Sequence, residues 1–300
     1  RHHWTFMPYW GFKAREFSFS FDYQTPLTGL PMPPRAYLSL GKAFDIEWAR
    51  IGARRSWGQS LMDPSDRFDL NLEYRRVRQV ERFWDPRDIE RGRTFILTAE
   101  RGFAATSYRV ASQFRAAASA GLITEPAIDI NNFIRAEAEE NATLRLARWL
   151  RPRVRAFAGY IAGTAPAQEQ YFLSGGFKTT GFEDLIISYK GWWSAQERYH
   201  VDGGANLPGY LGRHARGNTV AALNVDLPLY RSPLSLFAGA GQVAGGWSAL
   251  TANDILTDAG ITLHLPFLRL LMPLWINRPL PGKRRFDWRW QISVGGSIAI

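Results

Sequence analysis

Phe286–Ile300 reads FDWRWQISVGGSIAI. One register of this stretch holds Phe286, Trp288, Trp290, Ile292, Val294, Gly296, Ile298 and Ile300. The other holds Asp287, Arg289, Gln291, Ser293, Gly295, Ser297 and Ala299. Successive side chains of a strand point to opposite faces, so the stretch has one apolar face and one polar or small face. A soluble domain buries such a face in its core. Here the polar face carries no turn signal that would shorten the strand, and Trp288 and Trp290 gather at one end of the apolar face. A strand of about ten residues, apolar outward with aromatics at its rim, is what a membrane-spanning barrel requires.

The same alternation recurs along the chain. Phe17, Phe19, Phe21 and Tyr23 share a face opposite Ser18, Ser20 and Asp22, and Phe68, Leu70, Leu72 and Tyr74 stand opposite Asp69, Asn71 and Glu73. Trp4, Phe6, Trp10 and Phe12 suggest an earlier strand or an aromatic girdle interrupted by Pro8. Tyr37–Lys42 and Asp45–Trp57 form a candidate hairpin, with Ile46 and Trp48 on one face, after a Pro-rich loop over Thr25–Arg35. Val77–Arg91 reads mostly as loop. Arg93–Arg101 and Ala105–Ala117 read as strands on either side of a turn at Gly102–Ala104, followed by a longer connection over Ala118–Ile130.

Asn132–Leu150 has the Ala, Glu, Leu and Arg content of a helix. Yet Ile134, Ala136, Ala138, Ala142, Leu144 and Leu146 share one parity, and Arg135, Glu137, Glu139, Asn141, Thr143 and Arg145 the other. A strict period of two decides for strand. A tight turn at Leu150–Pro152 leads into Arg153–Gly163, with Val154, Ala156, Ala158 and Tyr160 outward. Thr164–Arg216 is long, Gly-rich and dense in Trp and Tyr, with a short candidate strand at Leu185–Tyr189. Alternation resumes in Thr219–Leu229 and, after a turn at Tyr230–Pro233, in Leu234–Val243. Beyond the loop Ala244–Ile255 it returns at Ala259–Leu265. Pro266 and Phe267 then turn the chain into a face of Leu268, Leu270, Met272, Leu274 and Ile276, and Arg278–Arg285 is a basic loop before the last strand.

From Gly102 onward the connections alternate short and long, which is the asymmetry of outer-membrane barrels, with tight periplasmic turns and extended outer loops. The expected fold is all-β: a transmembrane antiparallel up-and-down barrel of about twelve to fourteen strands, an even total being expected. Residues 1–300 form one barrel domain, and 164–216 is a long extracellular loop that enters the lumen as a plug. The chain begins at Arg1 without Met, basic n-region or apolar h-region, so we expect a processed or truncated chain, the C-terminal part of a longer protein.

Composition bounds the environment. No apolar run is long enough for a spanning helix, and a mean hydropathy of −0.24 is compatible with a barrel whose strands show half their side chains to a polar lumen. The absence of Cys fits a compartment in which stray thiols oxidise. The balance of 37 Lys+Arg against 27 Asp+Glu, a net charge of +10, is dispersed rather than gathered on a recognisable nucleic-acid module. No nucleic-acid partner is therefore expected. Such arginines line a lumen or sit at rims, where phosphate-bearing lipids pair with cations.

Residues 130–300 resemble the C-terminal barrel of the BamA-type bacterial surface-antigen superfamily of outer-membrane assembly and translocation proteins. The resemblance rests on Tyr171–Gly176 (YFLSGG), Gly203–Tyr210 (GGANLPGY), Gly217–Leu229 (GNTVAALNVDLPL), Leu236–Gly241 (LFAGAG), Asp258–Leu265 (DAGITLHL) and the closing strand. It implies that the long loop folds back into the lumen, its tip here being Asn206, Leu207, Pro208, Gly209 and Tyr210. In that family the tip carries an Arg before Gly and an aromatic. Gly209 and Tyr210 match, whereas Pro208 stands in the place of the Arg, and the chain ends in Ile300 where the family commonly ends in an aromatic. The resemblance also implies a seam between first and last strands as the site of action, carried here by Trp288, Trp290, Ile292 and Val294. Related barrels are fused behind membrane-tethered hydrolases, so the barrel alone does not fix an activity.

No catalytic, cofactor or metal site is expected. There is no His-Glu-x-x-His, and His200, His214 and His264 lack ligand spacing. His264 falls on the lumen register and is read as hydrogen-bonded between strands. His2 and His3 are read as disordered or interfacial, Glu183 with Asp184 as a solvated pair, and Trp192, Trp193 and Trp247 as rim aromatics. The expected function is protein insertion or export at the bacterial outer membrane, or anchorage of a fused upstream domain, any hydrolase activity lying upstream. Expected partners are the bilayer, lipopolysaccharide and unfolded outer-membrane or exported proteins. Two alternatives are an anion-selective porin with an Arg-lined wall and a soluble β-sandwich enzyme or carbohydrate binder.

Overall fold

The computed structural model describes residues 2–11, 16–27, 34–43, 46–57, 66–78, 90–124, 130–175, 203–210, 215–265, 268–279 and 284–294. The first half of the chain contributes β1 (His3–Gly11), β2 (Glu16–Pro26), β3 (Arg35–Ala43), β4 (Ile46–Trp57), β5 (Asp66–Val77), β6 (Gly92–Thr106), β7 (Val110–Thr124) and β8 (Ile130–Leu144). The second half contributes β9 (Arg153–Gly163), β12 (Thr219–Pro228), β13 (Leu234–Ala244), β14 (Leu256–His264), β15 (Leu268–Ile276) and β16 (Gln291–Val294). A small separate ribbon, β10 (Tyr171–Phe172) with β11 (Arg216–Gly217), lies between β9 and β12 in sequence.

The large elements form one fourteen-stranded antiparallel sheet in which every strand lies beside its sequence neighbour, β9 passing directly to β12. The sheet curls around the segment between β9 and β12, because that segment touches side chains from β5 round to β16. Among the described residues β1 pairs with β2 and β16 with β15, and no ladder joins β1 to β16.

The registers sort by polarity inside-out. On β5, Asp69, Glu73 and Arg75 are buried while Phe68, Leu70 and Leu72 are exposed. On β8, Ile134 is 64% exposed, whereas Arg135 meets Glu169 of the segment between β9 and β12, and Glu137 meets Arg115 on the neighbouring strand. Leu97, Leu122, Leu223 and Leu236 continue the exposed apolar face, and Thr94, Ser119, Ser235, Thr262 and Gln291 the buried polar one. This is the arrangement that a lipid exterior and a wet interior select. Tyr160 and Trp247 stack at 6.0 Å where β9 leaves the sheet, an aromatic pair at that rim. No helix among the described residues is long and apolar enough to cross a membrane.

Several expectations need correction. Gly102–Ala104 is no turn: β6 continues to Thr106, Gly102 pairing with Arg67 and Arg115. The chain reverses at Ser107–Arg109, where the Ser107 Oγ accepts the Val110 N–H at 3.1 Å and the Ser107 N–H reaches Val110 O at 2.7 Å. Ala118–Thr124 is likewise strand. Gly121 sits within it because the Phe133 ring covers it, a Cβ there falling 2.1 Å from that ring. The next turn spans 145–152 rather than Leu150–Pro152, with the Leu146 N–H bonded to Leu150 O, so Leu146 lies off the strand. The connection 125–129 is thus shorter than 145–152, and the expected alternation of loop lengths breaks there.

Proline accounts for two further differences. Pro8 does not interrupt β1, which runs through it, and among the described residues the side of β1 away from β2 carries no ladder. Pro273 lies inside β15, where the register shifts opposite Ala259/Gly260. The bulge moves Ile276 to the inner face, where it is buried, instead of leaving it with Leu270 and Met272. The closing strand also begins later than expected. Phe286–Trp290 lies outside the ladder apart from a bridge from Phe286 to Trp275, and regular pairing starts at Gln291. The candidate strand Leu185–Tyr189 falls outside the described residues.

Candidate functional site

The site is the lumen and the segment that fills one end of it. The segment leaves β9 through Gly163, whose φ of +90° and close approach to Asn132 O (2.3 Å from a Cβ) exclude any side chain. Ala165–Glu169 then turns tightly and is buried. Glu169 is held between Arg75, on β5, and Arg135, on β8, the latter at 3.1 Å. Arg75 also pairs with Glu73 at 2.5 Å, and Glu73 with Arg50. Glu90 secures the same turn, its Oε1 accepting the Ala167 N–H at 3.1 Å and its own N–H reaching Gln168 Oε1 at 2.9 Å. Burial, with the Glu137 carboxylate next, pushes the Tyr171 phenol upward, so it stays a neutral donor facing Ala136 O.

The expected plug tip lies deep in the lumen. The Ala205 and Leu207 N–H groups bond to Phe172 O and Leu173 O, both at 3.0 Å, so the two limbs of the segment brace each other. Asn206 takes a left-handed φ of 53°, a conformation asparagine tolerates. Its carbonyl and that of Ala205 accept both contacts of the Asn224 amide, and Arg155 donates to Gly204 O at 3.1 Å. Gly209 gives its N–H to Asp258 Oδ2 at 2.7 Å, and Gln291 on β16 donates to Pro208 O. The Tyr210 hydroxyl donates to Asn277 Oδ1 at 2.6 Å and accepts the Arg278 N–H at 3.2 Å. Leu207 and Tyr210 pack with Val220, Leu256 and Ile276, an apolar patch on the inner wall.

Three carboxylates thus fasten the segment: Glu169, which it carries itself, Glu90, which precedes β6, and Asp258, on β14. Pro208 offers no side-chain donor, and Asp258 takes the backbone N–H of Gly209. Gly239 and Gly209 are small because the contact is close: a Cβ on Gly239 would stand 2.5 Å from Leu207 Cδ2, and one on Gly209 would stand 2.6 Å from Ile276.

Below the segment a cavity of about 1130 Å³ extends to the opposite strand ends, lined by residues such as Arg115, Arg135, Glu137, Glu139 and Arg155. Its charges are largely matched: Arg115 meets Glu100 at 2.8 Å and Glu137 at 3.0 Å, and Arg155 meets Glu139 at 2.8 Å. A porin needs an open, field-bearing bore, and a lumen filled at one end and charge-paired at the other does not favour that reading.

The expected seam residues are placed less uniformly. Trp290 and Ile292 flank Gln291 on the outward parity, Trp288 is exposed ahead of the strand, and Val294 ends the described ladder opposite Leu268. His264 bridges strands as expected: its Nε2 meets Ser235 Oγ at 2.9 Å, and Ser235 donates to Asp226 Oδ1 at 2.6 Å. The serine occupies the middle of this trio and is fully buried, whereas an activated nucleophile needs the base between it and the acid. His2 meets Tyr23 at the edge of the sheet. Among the described residues no group of three or more His, Asp or Glu is gathered as metal ligands. Glu183, Asp184, Trp192, Trp193, His200 and His214 lie outside the described residues.

Sequence reasoning missed Glu169, Arg75, Arg135, Asn224, Asp258 and Gln291. All but Glu169 sit on the polar register of a strand, where nothing in the alternation separates an anchor from a wetted wall residue.

No protein-family model matches the chain, and no curated protein matches it. Among solved structures it is similar to BamA from Haemophilus ducreyi lacking POTRA domains 1–3, at 10% identity and a TM-score of 0.44. The match covers 97% of this chain and 68% of that one.

Proposed function

We propose that the chain is an outer-membrane barrel of a bacterial envelope that acts in insertion or export of proteins, its plug and its first-to-last-strand seam being the working parts. The observation that carries this reading is the attachment of the plug tip to the closing end of the sheet: Pro208 to Gln291 on β16, and Gly209 to Asp258 on β14. A segment fastened there couples what fills the lumen to the strands that border the seam. Among the described residues the ladder between β15 and β16 lapses beyond Leu271–Gln291, β15 running on to Ile276 with only the Trp275–Phe286 bridge across from it. Ladder hydrogen bonds missing there lower the cost of parting the two strands. By the usual disposition of outer-membrane barrels, the end bearing the plug segment faces outward and the turns 107–109, 145–152 and 229–233 face the periplasm.

A covalent lock tests the coupling. Because the chain has no Cys, a Leu207→Cys/Gly239→Cys pair is free of competing thiols, and the two positions adjoin, a Cβ at 239 falling 2.5 Å from Leu207 Cδ2. Proteoliposomes holding the reduced protein are expected to speed insertion of an unfolded outer-membrane barrel protein over empty vesicles. Oxidation is expected to abolish that gain and reductant to restore it. No gain over empty vesicles in the reduced state would remove the assembly reading and leave the barrel as the anchor of a fused domain.

A further inference from the structure

We infer that the periplasmic rim formed by the turns 107–109, 145–152 and 229–233 is a docking surface for anionic glycerophospholipid headgroups. The inference rests on the membrane orientation just proposed. These turns join β6 to β7, β8 to β9 and β12 to β13, six strands that are consecutive in the sheet, so they stand side by side. Together with the first residue of β9 they present Arg109, Arg145, Arg148, Arg151, Arg153 and Arg231, all exposed. The three turns contain no Asp or Glu. Among the described residues the one carboxylate near these guanidinium groups is Asp226, 3.9 Å from Arg153. Among the described residues of the opposite rim Arg278 is paired to Asp254 at 3.0 Å, and the lumen arginines are matched by glutamates.

Interleaved with the cations are Tyr108, Leu146, Trp149 and Tyr230, which are 89%, 64%, 61% and 56% exposed. Aromatic rings and cationic side chains at one level are the composition of a bilayer interface, where rings settle at the boundary and guanidinium groups take phosphate oxygens two at a time. An acidic protein partner would not call for so large an exposed apolar share among the charges. Phosphatidylglycerol, the simplest anionic glycerophospholipid, offers its phosphate to the arginines and its acyl chains to the rings beside them. The leaflet on this side is the one that holds such lipids, so they and not lipid A are the source we assign.

The test uses the full chain folded into vesicles and re-extracted in detergent, with bound lipid counted by native mass spectrometry after addition of phosphatidylglycerol, phosphatidylcholine or lipid A. Phosphatidylglycerol is expected to be retained about tenfold over phosphatidylcholine, and an Arg145→Gln/Arg148→Gln/Arg151→Gln variant to lose most of that preference. The Lys versions at the same positions, which keep charge, are expected to keep most of it and thereby separate charge from folding. Equal retention of the two phospholipids, a preference untouched by the triple variant, preferential retention of lipid A, or capture of a polyglutamate peptide in place of lipid would each overturn the inference. Failure of the chain to insert into vesicles at all would instead overturn the membrane reading beneath it.

Discussion

Deletion of residues 170–215 is expected to turn a poorly conducting protein into one with large, steady unitary conductance in planar bilayers. The plug occupies one end of the lumen, and the cavity beneath it runs to the other end with wall charges facing water. Removing the Tyr171–Leu173 limb and the Gly203–Tyr210 limb takes away the contacts that the segment makes to Asp258, Asn224, Arg155 and Gln291. The cut ends are already adjacent, since Tyr171–Phe172 pairs with Arg216–Gly217, so rejoining at that ribbon need not disturb β9 or β12. Matched charge on the remaining wall predicts weak ion selectivity rather than a strong anion preference. Conductance unchanged by the deletion would contradict the plug.

Arg75→Ala is expected to destabilise the folded barrel by about 3–5 kcal/mol, the scale for breaking a buried pair and leaving its partner charged. Arg75 stands between Glu73 and Glu169, with side-chain exposures of 10%, 6% and 4%. Its loss leaves Glu73 to Arg50, and Glu169 to Arg135 alone. Arg75→Met combined with Glu169→Gln removes both charges of one pair and is expected to cost less than Arg75→Ala alone, because one buried carboxylate rather than two is left short of a cation. Denaturant titration in phosphocholine vesicles reads the difference. A cost below about 1 kcal/mol for Arg75→Ala, the range of exposed pairs, would show that water reaches the cluster.

The alternation in Phe68–Tyr74 and Ile134–Thr143 was enough to give strand, face and class, because a barrel wall obeys only the period-two rule and the rule is local. It decided correctly against the helix propensity of Glu137–Arg145, since lipid on one side and water on the other override intrinsic preference. What alternation could not give was where strands stop. Gly102 and Gly121 read as turn residues, yet one lies inside a long ladder and the other makes room for Phe133. Pro273 reads as an interruption, yet it is absorbed by a bulge that turns Ile276 inward. The residues Asn206–Tyr210 were singled out by their motif. Their anchors were not legible, because Asp258 and Gln291 look like any other lumen residue until the segment from far along the chain is laid across them.

Single-cysteine scanning of β8 in reconstituted vesicles tests the inside-out wall most directly, on a chain with no Cys of its own. With a fluorophore at 134, 136 or 138, quenching by nitroxide-bearing acyl chains is expected to be strong; at 135, 137 or 139 it is expected to be weak, with quenching by a small aqueous ion in its place. The opposite pattern, or one without alternation, would contradict a barrel that is apolar outside and wet within.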